Sequence, residues 1–202
     1  METIKIDRNG TKWYYKNGKL HRDGDLPAIE NRDGEKHYYK NGKRHRDGNL
    51  PAVELPNGMI RYYKNGKQHR DGNLPAVELP DGTKSYYKNG ELHRDGDLPA
   101  VEWSDGSKFY YKNGKLHRDS DFPAIEESDG IKHYYKNGIK YTKEQVEFMT
   151  KMEKKRIMKI FRDWYDKTYS DPNSKAFIDM MMRDLNDFEN KFYILEPEKN
   201  KK

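Results

Sequence analysis

Cysteine is absent from this chain of 202 residues, and no stretch approaches the roughly 20 consecutive apolar residues of a membrane-spanning helix. Without cysteine the protein has neither disulfide bonds nor thiolate chemistry, which is typical of proteins in a reducing compartment. The opening segment, METIKIDRNG, lacks the apolar core of a secretory signal. These absences predict a cytoplasmic, intracellular protein with no membrane span.

Aliphatic residues are also scarce. Only 33% of the chain is hydrophobic and 37% is charged, so a thick aliphatic core cannot form and a thin or elongated structure is expected. Disorder is the alternative for so polar a chain, but aromatic residues reach 13% and recur at regular positions, which is not typical of disordered chains. The 40 basic and 34 acidic residues are interspersed, which predicts a surface of mixed charge.

The sequence does contain a tandem repeat with a period of 24 residues. A fixed period of this length is typical of an array in which each unit contacts only its neighbours. We number the units one to six by their YYKNG segments. The segment HRD begins at His21, His45, His69, His93 and His117, and YYKNG begins at Tyr14, Tyr38, Tyr62, Tyr86, Tyr110 and Tyr134.

Two turns punctuate each unit, one at Asn57-Gly58 and one at Asn65-Gly66 in unit three and at equivalent positions elsewhere. Such dipeptides are typical of two-residue type I′ hairpin turns. Each unit is therefore predicted to be a small meander of strands. The predicted fold class is mainly β, with tandem 24-residue β-hairpin repeats forming an elongated sheet or solenoid.

Alternation along a strand assigns each residue to a face of the sheet. With two-residue turns, Glu54 is predicted to lie opposite Arg61, and Tyr63 opposite Gln68. We call the face with the first tyrosine of each pair and the histidine the stacking face, and the other face the variable face. The stacking face is predicted to carry Val53, Leu55, Tyr62 and His69, and the variable face Ala52, Glu54, Arg61, Tyr63 and Gln68.

The variable face changes from unit to unit, whereas the stacking face hardly changes. The position of Arg61, for example, is a tryptophan in unit one and a phenylalanine in unit five. A face that repeats is needed for stacking, and aromatic and arginine residues on a free face dominate interface energetics. The predicted partner-binding residues, for a protein partner of unknown identity, are Trp13, Tyr15, Leu20, Tyr39, Arg44, Arg61, Tyr63, Tyr87, Leu92, Phe109, Tyr111 and Leu116.

Enzymatic chemistry finds little support in these motifs. HRD also opens the protein-kinase catalytic loop, but here it recurs five times and has neither a glycine-rich phosphate loop nor DFG. Equivalent histidines are expected about 10 Å apart, two strands along the sheet, whereas metal–imidazole bonds are near 2 Å. The sequence therefore predicts a non-enzymatic protein with structural histidines and with no catalytic residue, metal site or cofactor.

Nucleic acid is the alternative partner, because tyrosines with adjacent lysines can bind single strands by stacking and phosphate contact. Against it, the first tyrosine of each pair is predicted to be buried. In addition, the predicted register places the glutamate of every unit on the face of the second tyrosine. Binding of nucleic acid or of another anionic surface stays open beside the protein partner.

The periodicity changes from two to about 3.6 after residue 141. Thr142 and Gln145 form a capping-box pattern ahead of an apolar stripe, which predicts a helix over about 143–168. A second helix is predicted from Pro172 onwards. The expected organisation is an array over 1–141, an α-helical hairpin over 142–195 that caps the array or forms a separate module for a partner or for self-association, and a disordered tail over 196–202.

The YYKNGxxH segments at their 24-residue step resemble MORN-type repeats, whose hairpins begin with a similar Tyr-x-x-Gly. They are more similar still to tandem repeats of the form Y-x-N-G-x-x-H-R-x-x-G-x-P-A in proteins of large DNA viruses. The resemblance covers about residues 3–141, and the D-L-P-A segment departs from MORN units. It implies a β array that serves as a scaffold, and a viral protein located in the host cytoplasm or the virion.

Overall fold

The computed structural model describes residues 1–168, with side chains described within the helix as far as residue 164. The described chain is mainly β: a 14-stranded antiparallel sheet of hairpins, four small two-stranded sheets and one helix. The strands are β1 (Glu2–Ile6), β2 (Lys12–Lys16), β3 (Lys19–Leu20), β4 (Ile29–Glu30), β5 (Lys36–His37), β6 (Tyr39–Lys40), β7 (Lys43–Arg44), β8 (Val53–Glu54), β9 (Ile60–Arg61), β10 (Tyr63–Lys64), β11 (Lys67–Gln68), β12 (Val77–Glu78), β13 (Lys84–Ser85), β14 (Tyr87–Lys88), β15 (Glu91–Leu92), β16 (Val101–Glu102), β17 (Lys108–Phe109), β18 (Tyr111–Lys112), β19 (Lys115–Leu116), β20 (Ile125–Glu126), β21 (Lys132–Lys136) and β22 (Ile139–Tyr141).

The units are joined by one continuous main-chain ladder. Arg61 in β9 lies opposite Val53 in its own unit and opposite Val77 in the next, so β9 is shared between two units. The same pattern runs from β1 to β22. At about 4.8 Å per strand step, this path is about 58 Å long. The predicted array of stacked hairpin units is confirmed.

A second hairpin leaves the ladder in each inner unit. Strand β9 ends at Arg61, Tyr62 lies outside the strands, and the chain continues into the separate hairpin β10–β11. Asn65 and Gly66 both have positive φ, 52° and 87°, which is the requirement of a type I′ turn. Tyr63 therefore lies opposite Gln68, as predicted.

The first turn of each unit differs from the prediction. Gly58 donates to the carbonyl of Leu55 at 2.9 Å, and Leu55 donates to the carbonyl of Met59 at 3.0 Å, so three residues form the turn. Only Gly58 has positive φ, as in a type I turn followed by a left-handed residue. The Asn57 side chain accepts the main-chain N–H of Met59 at 3.0 Å, and the aspartates at the equivalent positions make the same contact, so the turn forms with or without a proline.

This extra turn residue shifts the register by one and exchanges the faces of the first strand. Glu54 lies opposite Ile60 rather than opposite Arg61, the predicted partner. Val53 and Leu55 therefore belong to the variable face. Ala52 and Glu54, predicted on the variable face, belong instead to the stacking face.

Most of the core lies on the stacking face, where buried alanines and tyrosines recur, whereas Val53 and Ile125 are buried on the variable face. The second tyrosine of each pair is only half-buried. The predicted alternation within the tyrosine pairs is thus confirmed in units two to five, whereas both tyrosines are half-buried in units one and six. The alanines, 0% exposed, are Ala28, Ala52, Ala76, Ala100 and Ala124, and the tyrosines, 6% exposed, are Tyr38, Tyr62, Tyr86 and Tyr110.

An arginine covers each of these tyrosine rings in place of a second layer of structure. The guanidinium of Arg70 lies 3.7 Å from the centre of the Tyr62 ring. The same group donates to Glu78 at 2.6 Å and to the carbonyl of Pro75 at 3.2 Å. Because Glu78 lies in the next strand of the ladder, the arginine both covers the ring and joins two units. Units one to five repeat this arrangement.

The repeated histidines connect consecutive hairpins. Nδ1 of His69 accepts the main-chain N–H of Asn89, one unit further on, at 3.2 Å. The ring proton is therefore on Nε2, which lies 2.9 Å from Asp71. In unit two a hydrogen bond from Lys40 and another from His45 lower the pKa of Asp47 to about 2. The histidine is thus part of the framework, which agrees with its predicted structural role.

Helix α1 (Lys143–Thr168) begins at the predicted capping box. Thr142 donates its main-chain N–H to Gln145 Oε1 at 2.9 Å, and Gln145 donates to Thr142 Oγ1 at 3.3 Å. Residues Met1–Phe148 form one compact unit and a second unit begins at Met149, within the helix. The predicted second helix and tail lie outside the described residues. Within 1–168, no helix is both long and apolar enough to cross a bilayer.

Gly90 is a test of the hairpin turns. Its φ is +94°, and a Cβ built there would meet Lys67 at an ordinary 3.6 Å, so the penalty for a side chain comes from the left-handed backbone. We expect Gly90→Ala to lower the free energy of unfolding by about 1–2 kcal/mol in urea titrations. The neighbouring exposed Glu91→Ala should change it by no more than about 0.5 kcal/mol. Equal effects of the two variants would contradict this turn.

Candidate functional site: the variable face of the array

The second tyrosines form a row across the variable face. The type I′ hairpins place Tyr63 opposite Gln68 and Tyr87 opposite Leu92, with equivalent pairs in the other units. Burial raises the pKa of Tyr87, which has Arg61 and Tyr63 as its charged and phenolic neighbours. The second tyrosines of successive units therefore lie on the same face, with Tyr87 within electrostatic reach of Tyr63.

Units two and three add a basic patch to this row. Arg44 Nε donates to the Tyr39 hydroxyl at 3.1 Å, and its guanidinium lies 5.5 Å from the centre of the Tyr63 ring. Arg61 Nη2 lies 3.3 Å from Met59 Sδ, a weak acceptor. Within the described chain, the buried Nε of Arg61 has no hydrogen-bond partner. The patch therefore holds two arginines, neither of which forms a salt bridge with a described residue.

His37 extends the basic patch and is sensitive to pH. Its Nε2 lies 2.8 Å from Glu35, whereas its buried Nδ1 has no partner among residues 1–168. Burial lowers the pKa of His37; Glu35 opposes this shift, and the charges of Arg44 and Arg61 add to it. The imidazole is therefore held neutral beside the two arginines.

Unit five carries an apolar patch instead. Phe109 lies between Val101 and Ile125 on the sheet, and its ring centre is 5.0 Å from that of Trp103. Trp103 is 51% exposed, the largest exposed aromatic surface on this face. Trp103 was not among the predicted residues because the predicted register placed the equivalent Leu55 on the stacking face. Asp105-Gly106 and Asn57-Gly58 resemble Asn65-Gly66 in sequence, so the local sequence did not separate the two turn types.

All twelve predicted partner-binding residues are half-buried rather than fully exposed. In unit one, Trp13 lies opposite Ile29, and the Lys5 ammonium is 5.3 Å from the Tyr15 ring. In the other units the predicted residues occupy equivalent positions on the same face. They pack on one another along the sheet while keeping part of their surface free. Truncating one of them therefore affects its neighbours as well as any partner.

The corrected register also moves the repeated glutamates. Glu54 and its equivalents lie on the stacking face, where each pairs with an arginine, such as Arg46 with Glu54 at 2.6 Å. The predicted negative charge beside the second tyrosines is therefore absent from these positions. The glutamates therefore no longer speak against nucleic acid at this face, whereas the burial of the first tyrosine still does.

A row of exposed apolar side chains, absent from the predicted set, lies outside the variable face. Each precedes the proline of a repeat, in the loop that joins one unit to the next. The exposed side chains are Leu26, Leu50, Leu74, Leu98 and Phe122.

A metal site was not predicted from the sequence. Among residues 1–168, no cluster of three or more histidine, aspartate or glutamate side chains could hold a metal ion.

Comparison with known proteins adds no assignment: no family model and no curated protein sequence matches this chain. The resemblance to MORN-type and viral repeats therefore stays a prediction based on the YYKNG and HRD segments. The variable face has to be interpreted from its own geometry.

His37 provides a pH test of the basic patch. Because its folded pKa is below the ordinary 6.5, the unfolded chain binds the proton more readily than the folded chain. Its contribution to stability is present above that ordinary value and is lost as the pH falls below it. Between about pH 7.5 and 5.5, we expect the melting temperature to fall more for the wild type than for His37→Gln. Parallel profiles would contradict the burial of a neutral imidazole.

Proposed function

We propose that the array is a non-enzymatic scaffold that binds a protein partner through the variable face. The observation that carries the proposal is the difference between the two faces on one regular ladder. The stacking face repeats its arginine, tyrosine and glutamate, whereas the variable face presents a basic patch in units two and three and an apolar patch in unit five. Stacking of the units does not require that difference.

The positions of the two patches restrict the partner. Arg61 and Phe109 are two units apart, which is about 20 Å at two strands per unit. A matching surface needs acidic groups opposite Arg44 and Arg61 and an apolar group opposite Trp103. Tyrosine, tryptophan and arginine are the side chains that contribute most at protein interfaces. We therefore propose a folded protein or a long chain segment as the partner, in a reducing intracellular compartment.

A single-stranded nucleic acid is the second candidate. It is favoured by the tyrosine row, by Arg44 between Tyr39 and Tyr63, and by the location of the glutamates on the opposite face. Stacking on such aromatic side chains with nearby cations is a general mode of single-strand binding. The apolar Trp103–Phe109 pair, which offers no phosphate contact, makes the protein partner the better supported of the two.

Trp103 gives the sharpest test of the protein interface. A partner captured on the whole chain from the native host and identified by mass spectrometry would be titrated against Trp103→Ala. We expect a loss of about 1–3 kcal/mol in binding with little change in melting temperature, because half of the indole is exposed. Lys108→Ala is the matched control, since Lys108 precedes Phe109 in the same strand but is on the other face.

Phe109→Ala is expected to lower both the affinity and the melting temperature, because its ring contacts Trp103 and lies between two aliphatic residues. The site assignment fails if Trp103→Ala binds the captured partner as tightly as Lys108→Ala does. It also fails if Phe109→Ala lowers the melting temperature while binding per folded molecule is unchanged.

Salt separates the two candidate partners. Binding through nucleic-acid phosphates weakens steeply with ionic strength, by about tenfold or more between about 50 and 200 mM salt when several contacts are made. Binding dominated by the tyrosine row and Trp103 should weaken much less over that range. A steep salt slope, together with tight binding of an oligothymidylate, would favour nucleic acid over the proposed protein partner.

A further inference from the structure

The four loops that carry HRDG differ at the residue that follows the glycine. This residue decides whether the arginine of the following loop has an acidic partner within the chain. That position is Asp25, Asn49, Asn73 and Asp97 in the first four loops. All four residues have a φ between 53° and 57°, so their backbones are alike. Only the carboxylate or amide at the end of the side chain differs.

Where this residue is aspartate, it binds the arginine of the next loop. Arg46 donates from Nε and Nη2 to the two oxygens of Asp25, at 2.9 and 3.0 Å. Arg118 likewise donates from Nε and Nη2 to Asp97 at 3.1 to 3.3 Å. In both arginines, Nη1 donates instead to a glutamate and to a proline carbonyl. The remaining edge of the guanidinium is therefore shaped for a carboxylate.

Where the residue is asparagine, that edge is left without an acid. Nε of Arg70 and of Arg94 is buried and has no hydrogen-bond partner within residues 1–168. Their Nη1 groups still bind Glu78 and Glu102. Nη2 of Arg70 makes no hydrogen bond to a described residue and is not among the buried unpaired atoms. Nη2 is therefore accessible to solvent, and Arg70 lines a cleft of about 240 Å³ between the second and third loops.

The two open positions are neighbours in the array. Arg70 and Arg94 are one unit apart, which is about 10 Å at two strands per unit. In a polyproline II helix, which has three residues per turn and a rise of about 3.1 Å per residue, side chains three residues apart are on the same side and about 9 Å apart. Leu50, 43% exposed, lines the cleft beside Arg70. Leu74, 42% exposed, occupies the equivalent position beside Arg94. The pattern matches acidic residues at every third position with apolar residues between them.

We propose that Arg70 and Arg94 form a second binding site, for an acidic peptide in a polyproline II conformation whose carboxylates pair with the Nη2 groups of the two arginines. The site is in the loops on the stacking side of the array, and it does not use Trp103 or Phe109 of the variable face. Asn49 and Asn73 leave the two arginines available, because an aspartate at either position would pair with the arginine from within the chain. Nε of each arginine stays buried, so the peptide carboxylate contacts Nη2 alone.

The test exchanges asparagine and aspartate without changing side-chain shape. The probe is a labelled peptide of about twelve residues with glutamate at every third position and proline and valine between, which favours polyproline II, and its binding to the whole chain is followed by fluorescence anisotropy. The double variant Asn49→Asp/Asn73→Asp should weaken binding by about tenfold or more. Asp25→Asn/Asp97→Asn should strengthen it, and the glutamine version of the peptide should not bind.

Melting curves accompany each variant, and Asn49→Asp/Asn73→Asp should melt above the wild type if the new carboxylates pair with Arg70 and Arg94. Equal peptide affinity of the wild type and this variant would overturn the proposal, as would no binding by the wild type. The acidic-peptide assignment is also overturned if an oligothymidylate, and not the peptide, loses affinity in the variant. Trp103→Ala should leave binding of the peptide unchanged, which separates this site from the variable face.

Discussion

The stability of this array depends on a guanidinium that lies on a phenol ring in five of its units. A single-layer sheet has no second layer to cover its tyrosines, and the chain is only 33% hydrophobic. The arginine replaces that layer: its flat face covers the ring at 3.6 to 3.7 Å while one end binds the glutamate of the next strand. Such a stack contributes about 0.5–2 kcal/mol depending on its desolvation. The buried layer otherwise consists largely of alanine, which leaves room for the ring and the guanidinium.

Because the contacts that join the units lie on the stacking face, the residues of the variable face can differ between units. The tyrosine, arginine and glutamate that join the units are all on the stacking face, and the histidine joins the hairpins through main-chain contacts. The residues equivalent to Arg61 and Gln68 can therefore change from unit to unit without loss of the ladder. The loops also keep one backbone conformation while a side chain changes between aspartate and asparagine. An aspartate there binds the next arginine within the chain, whereas an asparagine leaves that arginine available to a ligand.

Local sequence signals predicted part of this arrangement and failed at one turn. Asn65-Gly66 has positive φ at both residues, so the type I′ hairpin and the pairing of Tyr63 with Gln68 were predictable. Asn57-Gly58 looks the same in sequence, but there only the glycine has positive φ, and the Asn57 side chain accepts the main-chain N–H of Met59. The one-residue shift moved Val53 to the variable face and removed Glu54 from it. It also hid Trp103, the most exposed aromatic side chain of the candidate site.

Local patterns of turns and alternation were enough to predict the 24-residue period, the hairpin units, the burial of the first tyrosine of each inner pair and the capping box at Thr142. They could not predict which acid each arginine binds, which nitrogen of His69 carries the proton or which face holds Glu54. Those contacts join residues of different units, such as Arg46 and Asp25, 21 positions apart. Their geometry depends on the register and spacing of the stacked units, which no local propensity specifies.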